Sequence, residues 1–394
     1  MERKRRRWWT WGLTVATVLV VLAATVSMTF QLVVDAMPGY RERLQDRLTQ
    51  AVGHPVRIGS MALTWHRLRP NLDLLDVAVL DEQGKPLARL SRLRLGFGLS
   101  RLLTADWMPR SVEAVGLQLQ ADVDALGHWT LRGFGGGGGG GDGAALQHVS
   151  GLDRLRLRNC ELLVHDPQLS REPLRVGVAD ASVSHAGARY TLAAKLQPPA
   201  ELAVAAAANA SFTGDAAHPD GWQGQWSLQV DGVHGWPWLA GTLGPGVRLA
   251  LDGARLNLSG RVEGGRIAEV DAQAAAAAVA ALRGNEVLTR VTRVRLEAAA
   301  WPEQNAWRSE VRRLEMTGAR GAWAPARGNL HYAVTSTGIV LDAGADGLRL
   351  DDLAPWAALW KDLPASAGRL ADLRGDVHEL LVQYELAAYG AAPR

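Results

Sequence analysis

The chain predicts a mostly-β fold: an extended, mostly antiparallel architecture with few short helices, behind one N-terminal transmembrane helix. Three observations predict it. Trp8 to Val34 runs 27 residues without a charge. From Val56 onward, short runs alternate apolar and polar residues, the pattern of half-buried strands. Turn sequences such as Glu263-Gly264-Gly265 and Asp346-Gly347 punctuate those runs.

Residues 1–10 form a basic tail with Arg3, Lys4, Arg5, Arg6 and Arg7. Residues 11–34 are long enough to cross a bilayer, since roughly 20 apolar residues span its hydrocarbon core. Trp11, Leu19, Leu22 and Phe30 are the expected anchor residues, with Trp8, Trp9 and Trp11 at headgroup level. The Lys/Arg bias places the N-terminus in the cytoplasm and the bulk of the chain across the membrane. A cleaved signal peptide is the alternative. Its apolar core is normally about 7–15 residues with a small-residue cleavage site, and Val34-Asp35-Ala36 is a poor one. Both readings export the rest.

Pro38–Ala51 within 35–55 is polar and amphipathic, with Leu44, Leu48 and Ala51 on one helical face, so a short juxtamembrane helix is expected. Gly53-His54-Pro55 stops it. A first β unit follows over 56–134, with strands at Val56–Leu63, Leu72–Leu80, Leu87–Phe97 and Val112–Val123. Leu87–Phe97 alternates almost perfectly. Residues 135–143 are a glycine-rich linker or loop, with Gly135–Gly141 uninterrupted. A phosphate-binding loop needs a preceding strand and a following Lys-Ser/Thr, which Asp142-Gly143-Ala144 does not supply.

A second β region is expected over 144–394. Its strands are Leu152–Val164, Leu174–Val183, Tyr190–Leu196, Trp226–Val230, Val247–Leu258, Val287–Leu296, Val311–Met316, Gly328–Val334 and a last one at Val377–Leu386. The alanine runs Ala205–Ala208 and Ala274–Ala278 favour helix by local propensity, but their flanks alternate and strand is preferred. Trp236–Leu239 and Leu353–Leu363 read as short helical plugs.

Composition excludes several classes. The five basic residues of the tail outweigh the whole net charge of +3. The exported part is therefore close to neutral, and nucleic-acid binding loses its electrostatic basis. Cys160 is the only cysteine, so no internal disulfide or cysteine-pair metal motif exists. It lies in an alternating strand and reads as a small buried apolar residue. The ten histidines are scattered without i, i+4 pairs, and no Gly-x-Ser-x-Gly elbow is present. His165-Asp166 and the pair Asp122 and Asp124 read as solvated turn residues, and Asp351-Asp352 as the acidic start of a helix. The tryptophans are spread along the chain and read as core residues. No enzyme activity, cofactor or metal is expected.

Several ordered motifs carry a resemblance. They are Ala51–Gly59 with Gly53-His54-Pro55-Val56, then Trp65 to Pro70 and Leu72, the Gly84 turn, and Gly127-His128-Trp129-Thr130-Leu131. Gly235–Leu239, Leu353-Ala354-Pro355-Trp356 and Gly368–Leu373 follow in the same order. Together they resemble AsmA-like proteins, and most closely the YhdP branch, which is related to TamB; the similarity covers most of residues 8–380. The resemblance implies an inner-membrane anchor and a long, curved β-groove with an apolar lining that carries phospholipid between the two membranes of Gram-negative bacteria. Family members continue through more repeats, so the chain, ending soon after a new strand begins, reads as an N-terminal portion or a short homologue.

Two functions are expected in competition. The first is a lipid-conducting groove, with Leu93, Leu95 and Phe97 as candidate lipid-facing residues and membrane phospholipids as the partner. The second is a non-enzymatic assembly factor for outer-membrane biogenesis that binds inner- or outer-membrane proteins through open strand edges. Alternation alone does not separate an open groove from a face closed by a second sheet.

Overall fold

A computed structural model describes residues 38–66, 69–81, 83–98, 109–123, 129–131, 152–166, 173–215, 218–234, 243–303, 306–335, 338–359 and 374–387. The expected transmembrane helix over 11–34 with Trp11, Leu19, Leu22 and Phe30, the glycine run, and the plug at Trp236–Leu239 lie outside them. Among the described residues, no helix is long and apolar enough to cross a membrane.

The elements are α1 (Pro38–Val52), β1 (Val56–His66), β2 (Arg69–Leu80), β3 (Pro86–Gly96), β4 (Ser111–Val115), β5 (Gln118–Val123), β6 (Trp129–Leu131), β7 (Arg154–His165) and β8 (Leu174–Ala186). Next come β9 (Arg189–Gln197), β10 (Ala205–Thr213), β11 (Gln223–Val233), β12 (Val247–Asp252), β13 (Ala254–Glu263), β14 (Arg266–Arg283) and β15 (Glu286–Glu303). The remainder are β16 (Ala306–Gly318), β17 (Gly321–Ala322), β18 (Ala326–Thr335), β19 (Gly338–Asp346), β20 (Leu348–Arg349), α2 (Leu350–Ala357), β21 (Asp376–Val377) and β22 (Leu380–Ala387). The chain is mostly β, as its alternation predicts. Both alanine runs are strand, in β10 and β14, because cross-strand packing outweighs weak local helix propensity.

Among the described residues, twenty strands form one sheet, and β20 pairs only with β21. The pairing is antiparallel except where β4 and β5 run parallel to β7. That exception sits within the mostly antiparallel architecture that the sequence predicts. A parallel neighbour needs a crossover of a dozen or more residues. The chain from Leu131 to Arg154, which contains the glycine run, supplies that length.

Strand phase also departs from simple alternation. Ile58 and Met61, Leu74 and Val77, Leu90 and Leu93, and Leu157 and Cys160 are each three apart, yet all eight pack in one apolar cluster. Between them, at one level of the sheet, lie Gly59, Asp76, Ser91, Gly116 and Asn159. Asp76, Gly116 and Asn159 have φ of 52°, 66° and 49°. From β1 to β8 the additional residue falls at the same level, so the register between those strands survives on both sides, and β9 lacks it, so that the pairing of β8 with β9 shifts between Val178 and Asp180. Irregularities of this kind bend a strand, and aligned ones curve a sheet. A second line runs through Gly253 (φ 57°), Ala277 and Arg293 (φ 51°). These breaks split the expected single strands Val112–Val123 and Val247–Leu258 in two.

The buried core lies toward the two ends of the sheet. Near one edge, Val56, Ile58, Leu72, Leu74 and Val77 pack with Leu44 and Leu48 of α1. Toward the other, Val291, Met316, Trp323 and Ala326 pack beneath Leu353 and Trp356, on and beside α2. Between them, β9 and β10 contribute no buried hydrophobic residue.

Candidate functional site, an uncovered apolar face

Directly paired residues in a sheet point to the same face. Following the register from edge to edge therefore reads out each face. One row passes through Met61, Leu74, Leu93, Ala114, Leu157, Ala181, Ala194 and Ala208. It continues through Leu228, Leu258, Ala272, Ala298, Val311, Gly328, Ala345 and Leu380. No polar side chain interrupts it. At about 4.8 Å per strand the row is about 70 Å long.

The neighbouring row holds Leu72, Leu95, Val112, Leu155, Val183, Leu192, Ala210, Trp226, Gly260, Val270 and Ala300. It meets one hydroxyl, Ser309, before Leu330, Ala343 and Val382. On the other side run Cys160, Val178, Leu196, Ala206, Val230, Leu256, Ala274, Leu296 and Leu314.

The opposite face is polar. Asp73, Arg94, Glu113, Arg156, Ser182, Ala193, Asn209, Ser227, Ser259 and Asp271 share one row. Arg94 Nε donates to Asp73 Oδ1 at 2.7 Å, and Arg312 Nη1 to Asp271 Oδ1 at 2.8 Å. Arg156 pairs with Asp180, and its hydrogen bond holds that carboxyl below the usual carboxylate range. A cavity of about 600 Å³ opens on this polar face, among Ser182, Asn209, Ser227, Ser259, Arg261 and Asp271. Among the described residues, no group of three or more His, Cys, Asp or Glu is placed to hold a metal.

Covering differs along the apolar face. Under α1, Leu74 is fully buried and Leu93, Leu95 and Phe97 pack partly covered on the same cluster. From β8 to β22 every member of the first row is only half-buried. In the second row Leu192, Leu330 and Val382 are 37%, 38% and 43% exposed. No second sheet lies among the described strands to close this face, since all but β20 and β21 belong to the one sheet.

Aromatic residues converge on part of it. Tyr190 stacks on His185 at 4.5 Å and on Trp222 at 5.5 Å, and Phe212 stacks on Trp222 at 5.9 Å. The Trp226 indole lies over Gly260, where a Cβ would meet the ring. Scattered positions in sequence thus become neighbours through hairpin pairing. Trp323 is a core residue and Trp356 packs against the core, as expected of most tryptophans, whereas Trp222 and Trp226 are only half-buried and Trp307 is 42% exposed. Cys160 is buried, and burial pushes its thiol up from its ordinary range, so it is poorly suited to nucleophilic chemistry.

The sequence-level candidates Leu93 and Leu95 sit in the two long apolar rows. Sequence alone does not single out Leu228, Leu258, Trp226 and the alanines beside them as one surface. Their alternation was visible, but register alone shows that they line up across strands.

A family model described as YhdP protein matches residues 4–390. No curated protein and no solved structure matches the chain. The match spans nearly the whole sequence, from the basic tail to the last strand, and the chain belongs to the YhdP family.

Proposed function

We propose that the chain is an inner-membrane-anchored periplasmic module that conducts phospholipid along the apolar face of its sheet, between inner and outer membrane, and so serves outer-membrane lipid homeostasis. The observation that carries this reading is the apolar row from Met61 to Leu380, uninterrupted across sixteen strands, with a polar row on the opposite face. A methylene exposed to water costs about 0.8 kcal/mol, so a sixteen-carbon acyl chain in open water costs on the order of 13 kcal/mol. A continuous apolar surface lowers that barrier at every step. The row is several times the ~15 Å apolar thickness of one leaflet, which suits passage along a surface rather than residence in one pocket. No catalytic residue or cofactor enters the mechanism.

Photo-crosslinking residues placed in cells at Leu228 and Leu258, against Gln229 and Asn257 on the other face, test the reading. Leu93 and Leu95 against Arg92 and Arg94 repeat the test near α1. Phospholipid adducts confined to the apolar set are expected. Adducts to protein alone favour the second reading, an assembly factor. The observation that favours it is β22, whose only described strand partner is β19, with Leu381 77% exposed.

A further inference from the structure

Edge strands present unpaired N–H and C=O groups that another strand can pair with. β1 is such an edge, because its only described strand partner is β2. Its free side is nevertheless occupied. Thr49 Oγ1 accepts the Val56 N–H at 3.0 Å, Gln45 Oε1 accepts the Ile58 N–H at 3.0 Å, and Arg41 Nη1 donates to the Gly59 carbonyl at 3.3 Å.

The spacing explains how one helix does this. Arg41, Gln45 and Thr49 are four apart and share a helical face, rising about 6 Å per step. Val56 and Ile58 are two apart in a strand, about 6.7 Å. The two repeats nearly match, so α1 lies along the edge and its side chains stand in for a neighbouring strand. Leu44 and Leu48 meanwhile rest on the cluster that holds Leu93, Leu95 and Phe97.

The attachment is light. α1 joins β1 through Gly53, whose φ is 78° and around which no atom crowds an added Cβ. Among the described side chains, Leu44, Leu48, Arg41, Gln45 and Thr49 hold the helix to the sheet, whereas β1 is held to β2 by a ladder from Val56↔Val79 to His66↔Arg69.

We infer that α1 is a releasable strap. It caps the free edge of β1 and covers the adjoining end of the apolar face. Its release uncovers that edge and that end of the face while the sheet stays intact. The inference does not depend on lipid conduction.

Amide hydrogen exchange on the full chain in detergent tests it. In the wild type, the Val56 and Ile58 amides are expected to be protected. Thr49→Val keeps the side-chain shape and removes the acceptor, and Gln45→Met does the same one turn earlier. Each is expected to speed exchange at its own amide by roughly fivefold, the net worth of one hydrogen bond. Leu74 and Leu93, inside the ladder, remain unchanged, and Thr49→Ser restores protection at Val56. Two outcomes overturn the strap. Unchanged exchange at Val56 and Ile58 means the helix does not guard the edge. A joint rise across β1, β2 and β3 means α1 is an ordinary structural support whose loss loosens the sheet.

Discussion

The indole N–H of Trp323 donates to Asp352 Oδ2 at 2.8 Å, inside the core beneath α2. The other carboxylate oxygen accepts the Ala319 amide, also at 2.8 Å. Asp352 is 5% exposed, and it is packed so closely on Gly318 that a Cβ there would overlap the carboxylate. The pair ties the first turn of α2 to the β16–β17 hairpin, a role beyond the general one of an acidic helix start.

Removing that acceptor leaves a buried indole N–H without its partner. Asp352→Ala is therefore expected to cost about 2–4 kcal/mol, read as a shift of the urea midpoint. Gly318→Ala should destabilise as well, by crowding the same carboxylate. A neutral result for both would show that α2 is not fastened here.

The kink line makes a contrasting prediction at Asn159. A left-handed backbone costs a side chain about 1–2 kcal/mol, and Asn bears it better than β-branched residues. Asn159→Val should lose stability by about that amount, while Asn159→Gly should be neutral or slightly stabilising, by chemical denaturation. Gly116, between β4 and β5 at the same level, should tolerate neither Ala nor Val, because its φ is 66° and Ser91 Oγ occupies the space of a Cβ.

A charge within the apolar row should separate folding from lipid passage. Leu228 is half-buried, so Leu228→Lys should cost less than the ~1.5–3 kcal/mol of a fully buried leucine. Lipid adducts at the neighbouring Leu258 should fall sharply, while Gln229→Lys on the opposite face should leave them unchanged. Equal effects of the two variants would argue against passage over the apolar face.

Acid titration should register Asp351, as it should Asp180. The Gly375 amide and the Arg320 guanidinium hold the Asp351 carboxyl below the usual range. With the folded pKa depressed, the stabilisation is present above the unfolded value of about 3.9 and is lost as pH falls through the folded one. Asp351→Asn should flatten that part of the acid-stability profile and leave the region above about pH 5 unchanged in slope. His218 offers the opposite sign: its bond to Asp215 raises the imidazole above its ordinary value. Its contribution is present below the unfolded pKa of about 6.5 and lost as pH rises through the folded one. NMR titration should show Asp215→Asn returning it downward.

Topology at the membrane has its own measurement. A reporter that works only in the periplasm, fused after Asp35, should be active. Activity of a cytoplasmic reporter there would reverse the proposed orientation.

The amino-acid sequence by itself determined the class of this protein. Alternation from Val56 onward demanded strands, the polar interruption at Gly53-His54-Pro55 ended a helix, and the ordered motifs pointed to the family that the whole-chain match shows. These features are local, so a one-dimensional reading finds them. Tertiary structure decided what depends on register: the parallel pairing of β4 and β5 with β7, the two kink lines, and the alignment of Leu93 with Ala208, Leu228 and Leu380 in one row. Register arises from side chains meeting across strands that are far apart in sequence, and a shift of one residue would move each of them to the opposite face. No local pattern encodes that choice.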